Sequence, residues 1–217
     1  MRNIVKVTVL CSSSDHPINN WLENWIKKWE LKCQIDLIRN KSELIGGDIL
    51  FLISCSDIVS KKERDKYKNT LIIHASDLPN GRGWSPHVWE IINGTEEITL
   101  TLLEAANAVD SGNIWKKMNV KIPKTALYEQ INKLIFDGEL ELMDFAVENF
   151  NSVVSIKQSG KGIRYWPKRT PADSEINIHK TISEQFDLIR VCDSSRFPAF
   201  FYKAGKKFTL RVEVADE

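Results

Sequence analysis

Two near-continuous apolar runs limit what this chain can fold into: Asp48 to Ser54 (DILFLIS) and Thr70 to His74 (TLIIH). A strand with one wet face alternates polar and apolar residues. A run without that alternation is covered on both faces, as at the centre of a parallel sheet flanked by helices. Around these runs strand and helix signals take turns. Ile4 to Leu10 alternates β-branched residues and reads as a first strand, broken by Ser12, Ser13, Ser14 and Asp15; Gln34 to Ile38 reads as a second. Between them Trp21, Trp25 and Trp29 recur every fourth residue and share one helix face. Such a stripe reads as core packing in preference to a ligand-stacking platform. Lys61 to Lys68 reads as a short solvated helix, Pro86 to Ile92 as a helix after a Gly-rich turn, and Ile98 to Leu103 as a further strand. Alternation through residue 105 predicts an α/β fold with a mainly parallel sheet.

Beyond that point the pattern changes. Leu127, Ile131, Leu134, Ile135, Leu142, Phe145, Ala146 and Phe150 keep helical spacing, which predicts one long helix over Lys124 to Asn149, or two sharing a bend near Gly138. Gln158 to Glu175 is basic, polar and punctuated by Gly160, Gly162, Pro167 and Pro171, and reads as a loop. Ser183 to Arg190 reads as a short helix. Ala199 to Tyr202 and Lys207 to Val214 read as strands joined by the turn Lys203-Ala204-Gly205-Lys206. This terminal hairpin could extend a neighbour's sheet in a homodimer, although the sequence does not set the oligomeric state.

The net charge of +1 over 217 residues argues against bulk electrostatic capture of nucleic acid or of an acidic membrane surface. It leaves room for a local site for one anionic metabolite. The apolar runs fall short of the roughly 20 residues needed to span a bilayer, and Met1 to Ser14 lacks the basic start and apolar middle of a leader. Cys11, Cys33, Cys55 and Cys192 form no CxxC pair, and the first three, each touching an apolar run, read as buried small hydrophobes. A reduced, cytoplasmic enzyme or binding protein is the expected class.

The chemistry concentrates in Ile73 to Trp89, IHASDLPNGRGWSPHVW. His74 stands at the carboxyl end of a strand, where open α/β sheets bind ligands. In the turn that follows, Gly81 and Gly83 flank Arg82, so backbone can approach a ligand while a guanidinium faces it. Alone, such a triplet reads as an ordinary turn, and a strand-end histidine as a structural hydrogen-bonder. Leu102 to Ile114 (LLEAANAVDSGNI) carries Asp110-Ser111-Gly112, an ordinary polar turn unless Asp110 reaches His74, which adjacent strands would permit. A metal-dependent deacylase built on His74, Asp77 and His87 lacks the usual acidic pair and histidine cluster. A NAD-binding oxidoreductase lacks its glycine turn, since the first strand runs into Cys11-Ser12-Ser13-Ser14.

In order and spacing, HASDLPNGRGWSP followed by AVDSGNIW resembles the formyl-transfer core of enzymes that depend on 10-formyltetrahydrofolate, over residues 45 to 115. The resemblance implies a Rossmann-like formyltransferase core with a mainly parallel sheet over residues 1–122. Residues 123–217 would add a long helix and β-hairpin that complete the same compact unit. It implies N10-formyltetrahydrofolate as cosubstrate, His74 and Asp110 as the catalytic pair, and Ser54, Cys55, Ile58, Asp110 and Gly112 around the pterin. Substrate contacts would come from Asp77, Gly81, Arg82, Gly83, Trp84, Lys168 and Arg169. Arg82 with Lys168 or Arg169 would pair with a diphosphate, against a solvated-loop reading of the last two. Trp84, Tyr165, Trp166 and Phe201 would stack on a base or sugar, against a core-packing reading of each.

The second half lacks the size and basic character of a tRNA-binding domain. Its ending is similar to short sugar N-formyltransferases of bacterial surface-glycan pathways. Arg169 to Glu175 (RTPADSE) with GRGWSP resembles those for 4-amino-4,6-dideoxy sugars, including enzymes near pseudaminic acid synthesis. The implied partner is a UDP- or dTDP-linked amino sugar, with no nucleic acid, membrane or metal. In direct transfer, the sugar amine attacks the formyl carbon on N10. Imidazole suits the proton shuttle because it titrates in water near pH 6.5. One position departs from the family: Ile72 stands where it has an asparagine that holds the formyl oxygen. That donor would be replaced by a protonated His74, a backbone N–H between Ser76 and Gly83, or a water. The same departure keeps alive a catalytically silent folate- or nucleotide-binding module.

Overall fold

The computed structural model describes residues 4–159 and 164–215. Its first strands are β1 (Val5–Leu10), β2 (Cys33–Ile38), β3 (Gly47–Leu52), β4 (Tyr67–His74) and the two-residue β5 (Arg82–Gly83). There follow β6 (Glu97–Glu104), β7 (Ile114–Lys121), the short β8 (Tyr165–Trp166), β9 (Ala199–Lys203) and β10 (Lys206–Leu210). The helices are α1 (Asn19–Trp29), α2 (Lys61–Arg64), α3 (Pro86–Ile92), α4 (Tyr128–Asn149) and α5 (Ile182–Arg190).

Six strands make one sheet in the order β2-β1-β3-β4-β6-β7. The two apolar runs are β3 and β4, paired in parallel at its centre. β6 runs antiparallel to β4, and β7 antiparallel to β6, so five of the six strands point the same way. The fold is the expected α/β architecture with a mainly parallel sheet, a long helix and a terminal hairpin. The hairpin turns through Ala204 and Gly205, both at positive φ, the backbone of a tight two-residue turn.

Side-chain alternation divides the strands between two cores. Val7, Val9, Ile49, Phe51, Leu71 and Leu100 face the larger one, which α1 and α4 cover. Leu10, Leu50, Leu52 and Tyr67 face a smaller one, with Ile72 packed against it. Beyond Ile72 on that second face stands His74, itself buried.

The tryptophan stripe on α1 is core packing. Trp25 and Trp29 are buried, and both indole N–H groups donate to Asp144 Oδ1 on α4, at 2.9 and 2.6 Å. Trp21 donates one turn earlier, to Asp137 Oδ1 at 2.8 Å. The aromatic face thus brings its own polar groups into the α1–α4 seam and satisfies them there.

Several details differ from the sequence reading. α4 is one helix of 22 residues without a break at Gly138. There a Cβ would lie 2.7 Å from Leu100 Cδ1 and 3.1 Å from Val120 Cγ2, so glycine serves close helix–sheet approach. The charged segment 61–68 is helical only to Arg64, because Tyr67 already belongs to β4. β7 has no counterpart in the sequence reading: four of its eight residues are exposed, and an edge strand so polar carries little apolar pattern. The loop at 158–175 contains β8 and a 3-10 turn at Pro171–Ser174, while Gly160 and Gly162 lie outside the described residues. The last strand ends at Leu210, short of Val214. All four cysteines are free, and Cys55 is only half-buried.

Two stability measurements check this seam. Asp144→Ala strands two buried indole donors and should lower the unfolding free energy in urea by about 2 kcal/mol with an unchanged m-value; Asp144→Asn, which keeps an acceptor, should lose less. Glu139 lies on α4 one turn from Ile135, Phe136, Leu142 and Met143, and burial pushes its carboxyl up to about 8 from 4.5. Both folded and unfolded chains hold that proton below pH 4.5. As pH rises toward 8 only the folded chain retains it, so stability falls across this window. Glu139→Gln should therefore match the wild-type Tm at the acid end and exceed it above pH 8.

Candidate active site

His74 closes β4 on the face that Ile72 shares, beyond the smaller core. Its ring is buried at 8% exposure. Nε2 lies 2.9 Å from the Gly81 carbonyl oxygen, and because a carbonyl only accepts, Nε2 carries the hydrogen. Nδ1 of the neutral ring then presents a lone pair. It faces Asp110 Oδ1 at 3.6 Å, beyond direct hydrogen-bond length, while Asp110 Oδ2 accepts from the Gly83 N–H at 3.0 Å. Two acceptors thus face each other across a short gap in a buried setting, an arrangement completed by a group that brings N–H hydrogens between them.

The loop that supplies these partners is tightly tied. Ser76 Oγ donates to the Asn80 carbonyl at 2.9 Å, and Thr101 Oγ1 on β6 donates to the Ser76 carbonyl at 2.7 Å. Gly81 has φ +73°, and a Cβ there would stand 2.7 Å from Ser76 Cβ; Gly83 has φ +103°, with a Cβ 2.3 Å from the Trp166 carbonyl oxygen. Both glycines are required by chain crossing. Between them β5 pairs in parallel with β8, with Arg82 N–H donating to Arg164 and Trp84 N–H to Trp166. N–H groups of Leu78, Asn80, Arg82 and Gly83 are all engaged within the protein.

Asp110 arrives by an indirect route. β6 neighbours β4, but it is antiparallel and ends beside Leu71, three residues short of His74. Loop 105–113 therefore folds back toward His74. Gly112 makes the return possible, since a Cβ there would sit 1.8 Å from the Glu104 carbonyl oxygen. Asp110 itself takes φ 53°, a left-handed conformation that costs an L-residue about 1 kcal/mol or more.

Around this pair the structure sorts the remaining residues singled out in the sequence. Ser54, at φ 46°, Cys55 and Ile58 form the loop after β3, with Ile58 exposed. Ser12 Oγ accepts from the Ser56 N–H and lies 3.5 Å from Cys55 Sγ. Arg64, which the sequence reading missed, joins this loop to the one bearing Asp110: it donates to the Val59 carbonyl and to Asn107 Oδ1, each at 2.6 Å. Asp77 pairs with Lys117. Trp84 is exposed at 42%, with Lys168 Nζ 4.7 Å from its ring centroid. Arg169 turns inward to the Asp173 carbonyl at 3.0 Å, bracing the 3-10 turn. Trp166 stacks on Trp89, Tyr165 is exposed beside Gly83, and Phe201 packs in the terminal hairpin on Phe208. Arg82 Nη2 donates to Gln158 Oε1, and Gln158 was not anticipated either.

Two titratable groups of α3 flank the loop. Burial holds the His87 imidazole down near 4, helped by the neighbouring His74, His16 and Arg169, so it is neutral at physiological pH. Burial, with Asp77 nearby, raises the Glu90 carboxyl to about 7. Among the described residues no group of three or more His, Cys, Asp or Glu side chains is placed to hold a metal ion.

Comparison with known proteins bears on the family and the fold. Residues 30–147 match the family model described as Formyl transferase. Methionyl-tRNA formyltransferase from Rickettsia prowazekii is 31% identical over 144 residues, covering 65% of this chain and 47% of that protein. The chain thus spans about half the length of the curated relatives it matches. Among solved structures, HypX from Aquifex aeolicus in complex with tetrahydrofolic acid superposes with TM-score 0.77 at 20% identity, over 94% of this chain and 37% of that one. A sugar N-formyltransferase from Shewanella sp superposes with TM-score 0.74 at 17% identity, over 98% and 100%. With a family model matched over more than half its length, this chain belongs to the formyl transferase family.

Proposed function

We propose that this protein transfers a formyl group from N10-formyltetrahydrofolate to the amine of a nucleotide-linked amino sugar. The observation that carries the reading is the facing pair of His74 Nδ1 and Asp110 Oδ1, 3.6 Å apart, with the opposite ring nitrogen tied to Gly81. An attacking amine has N–H hydrogens for both acceptors. Held there, it is oriented with its lone pair free for the formyl carbon.

As the N–C bond forms, the nitrogen becomes cationic and the formyl oxygen anionic. His74 Nδ1 takes a proton from that nitrogen, and Asp110 stabilises the imidazolium so formed. The same proton is returned to N10 as the C–N10 bond breaks, leaving a formamide and tetrahydrofolate. Ser54, Cys55 and Ile58 on one side, and Asp110 and Gly112 on the other, belong to the two loops that Arg64 ties together, a frame suited to a flat heterocycle beside His74. Ile72 packs into the smaller core, so no side-chain amide of β4 meets the oxyanion. With four N–H groups of the following loop already engaged, donors are left to the rest of that loop, to solvent or to the imidazolium.

A sugar amine is favoured over tRNA by the near-neutral net charge, while solved structures of both kinds superpose over at least 90% of both chains. Exposed Trp84 with Lys168 offers a stacking face and a cation for a nucleotide; a UDP- or dTDP-linked 4-amino-4,6-dideoxy sugar fits the motif resemblance. The methionyl-tRNA relatives support the competing reading.

A mass-spectrometric screen decides between them. With 10-formyltetrahydrofolate, one or more of a panel of amino-sugar nucleotides should gain a formyl mass, and initiator methionyl-tRNA should not. The reverse result, or folate binding without transfer to any amine, would overturn the proposal. On the accepted sugar, His74→Ala should lower turnover roughly 100- to 10,000-fold at saturating substrates.

A further inference from the structure

Gln158 belongs to a polar stretch that the functional reading leaves unused, yet its amide makes three directed hydrogen bonds. Nε2 donates to the Asp110 carbonyl at 3.0 Å and to the Gly112 carbonyl at 2.7 Å, while Oε1 accepts from Arg82 Nη2 at 2.7 Å. Carbonyls only accept and a guanidinium only donates, so the amide has one workable orientation. Both amide hydrogens are engaged by backbone on either side of Ser111, within the turn where Asp110 holds φ 53°.

The carboxylate of Asp110 is held from the same direction. Its Oδ2 accepts from the N–H of Gly83, the residue after Arg82. A closed circuit results: the Arg82 guanidinium grips Gln158, Gln158 grips the backbone of Asp110, and the Asp110 side chain returns to Gly83. Within this circuit Oδ1 is the carboxylate oxygen that faces His74.

We propose that Gln158, anchored by Arg82, is a positioning residue that sets where Asp110 Oδ1 stands relative to His74 Nδ1. The proposal rests on the reading of His74 and Asp110 as the proton-handling pair. It also gives Arg82 a task within the protein. Without the two donated bonds, the left-handed turn at Asp110 relaxes and Oδ1 leaves its place opposite the imidazole. The sugar amine still binds, but meets a misplaced partner.

The test uses the full-length protein, 10-formyltetrahydrofolate, and UDP- and dTDP-linked 4-amino-4,6-dideoxy sugars, with product followed by mass spectrometry. Gln158→Glu keeps the shape of the side chain and the bond from Arg82 but turns oxygen toward two carbonyls; Gln158→Ala removes the clamp outright. Both should lower kcat roughly 10- to 100-fold while KM for the sugar stays within about threefold. In an Asp110→Asn background the same Gln158 substitutions should cost less than about threefold more, because they act through a carboxylate already lost. Wild-type kcat in both Gln158 variants would overturn the proposal, as would equal losses in the two backgrounds. If Gln158→Ala lowers the melting temperature and Gln158→Glu does not, the kcat of Gln158→Glu alone decides: a loss supports the clamp, and wild-type turnover overturns it. Full activity of Asp110→Asn alone is a different failure: it removes the pair itself, and the clamp's purpose with it.

Discussion

The site depends on one hydrogen bond between an imidazole and a backbone carbonyl. Because Nε2 of His74 is committed to Gly81, the ring is fixed in plane and tautomer, and Nδ1 is the nitrogen left facing Asp110. That bond exists only because the loop after β4 doubles back under its own strand, pinned by Ser76 and Thr101 and crossing Trp166 at a position where only glycine fits. The Gly-Arg-Gly turn therefore has a structural task of its own. The constraint that shapes the backbone also aims the histidine.

Asp110 meets this fixed ring through a less direct construction. An antiparallel β6 delivers the chain to the wrong level of the sheet, and loop 105–113 has to climb back with Asp110 in a left-handed conformation. Such local strain persists where surrounding contacts over-determine it. Here these are the Gly83 N–H on the carboxylate, the Gln158 amide on the carbonyls, and the Arg64–Asn107 contact at the far side of the loop. Stability on the opposite face comes from the α1–α4 seam, where Asp144 satisfies two buried indoles. The larger core is thus closed on the side of the sheet opposite His74.

What was legible in the sequence follows from how many residues carried each signal. β3 and β4 were visible because burial on both faces leaves uninterrupted apolar runs, and α1 because three tryptophans mark its period. His74 and Asp110 were nameable from the order of motifs, but their approach comes from the fold-back of loop 105–113, which no strand pattern announces. β7 was hidden because an edge strand with Lys116, Lys117 and Lys121 has little apolar alternation. Gly138 looked like a bend, since a helix period cannot reveal a sheet pressed against that turn. Gln158 and Arg64 gave no signal: single polar side chains bonding to distant loops leave no pattern in neighbouring residues.

The central claim is that neutral His74 carries its hydrogen on Nε2 and presents a bare Nδ1 to Asp110. Long-range ¹⁵N–¹H NMR of labelled protein reports the tautomer of each histidine, and His74→Gln would identify the signal to assign. In the neutral form, the account predicts a protonated, pyrrole-type Nε2 and an unprotonated, pyridine-type Nδ1 at His74. The opposite tautomer, with the hydrogen on Nδ1 directed at Asp110, would contradict it.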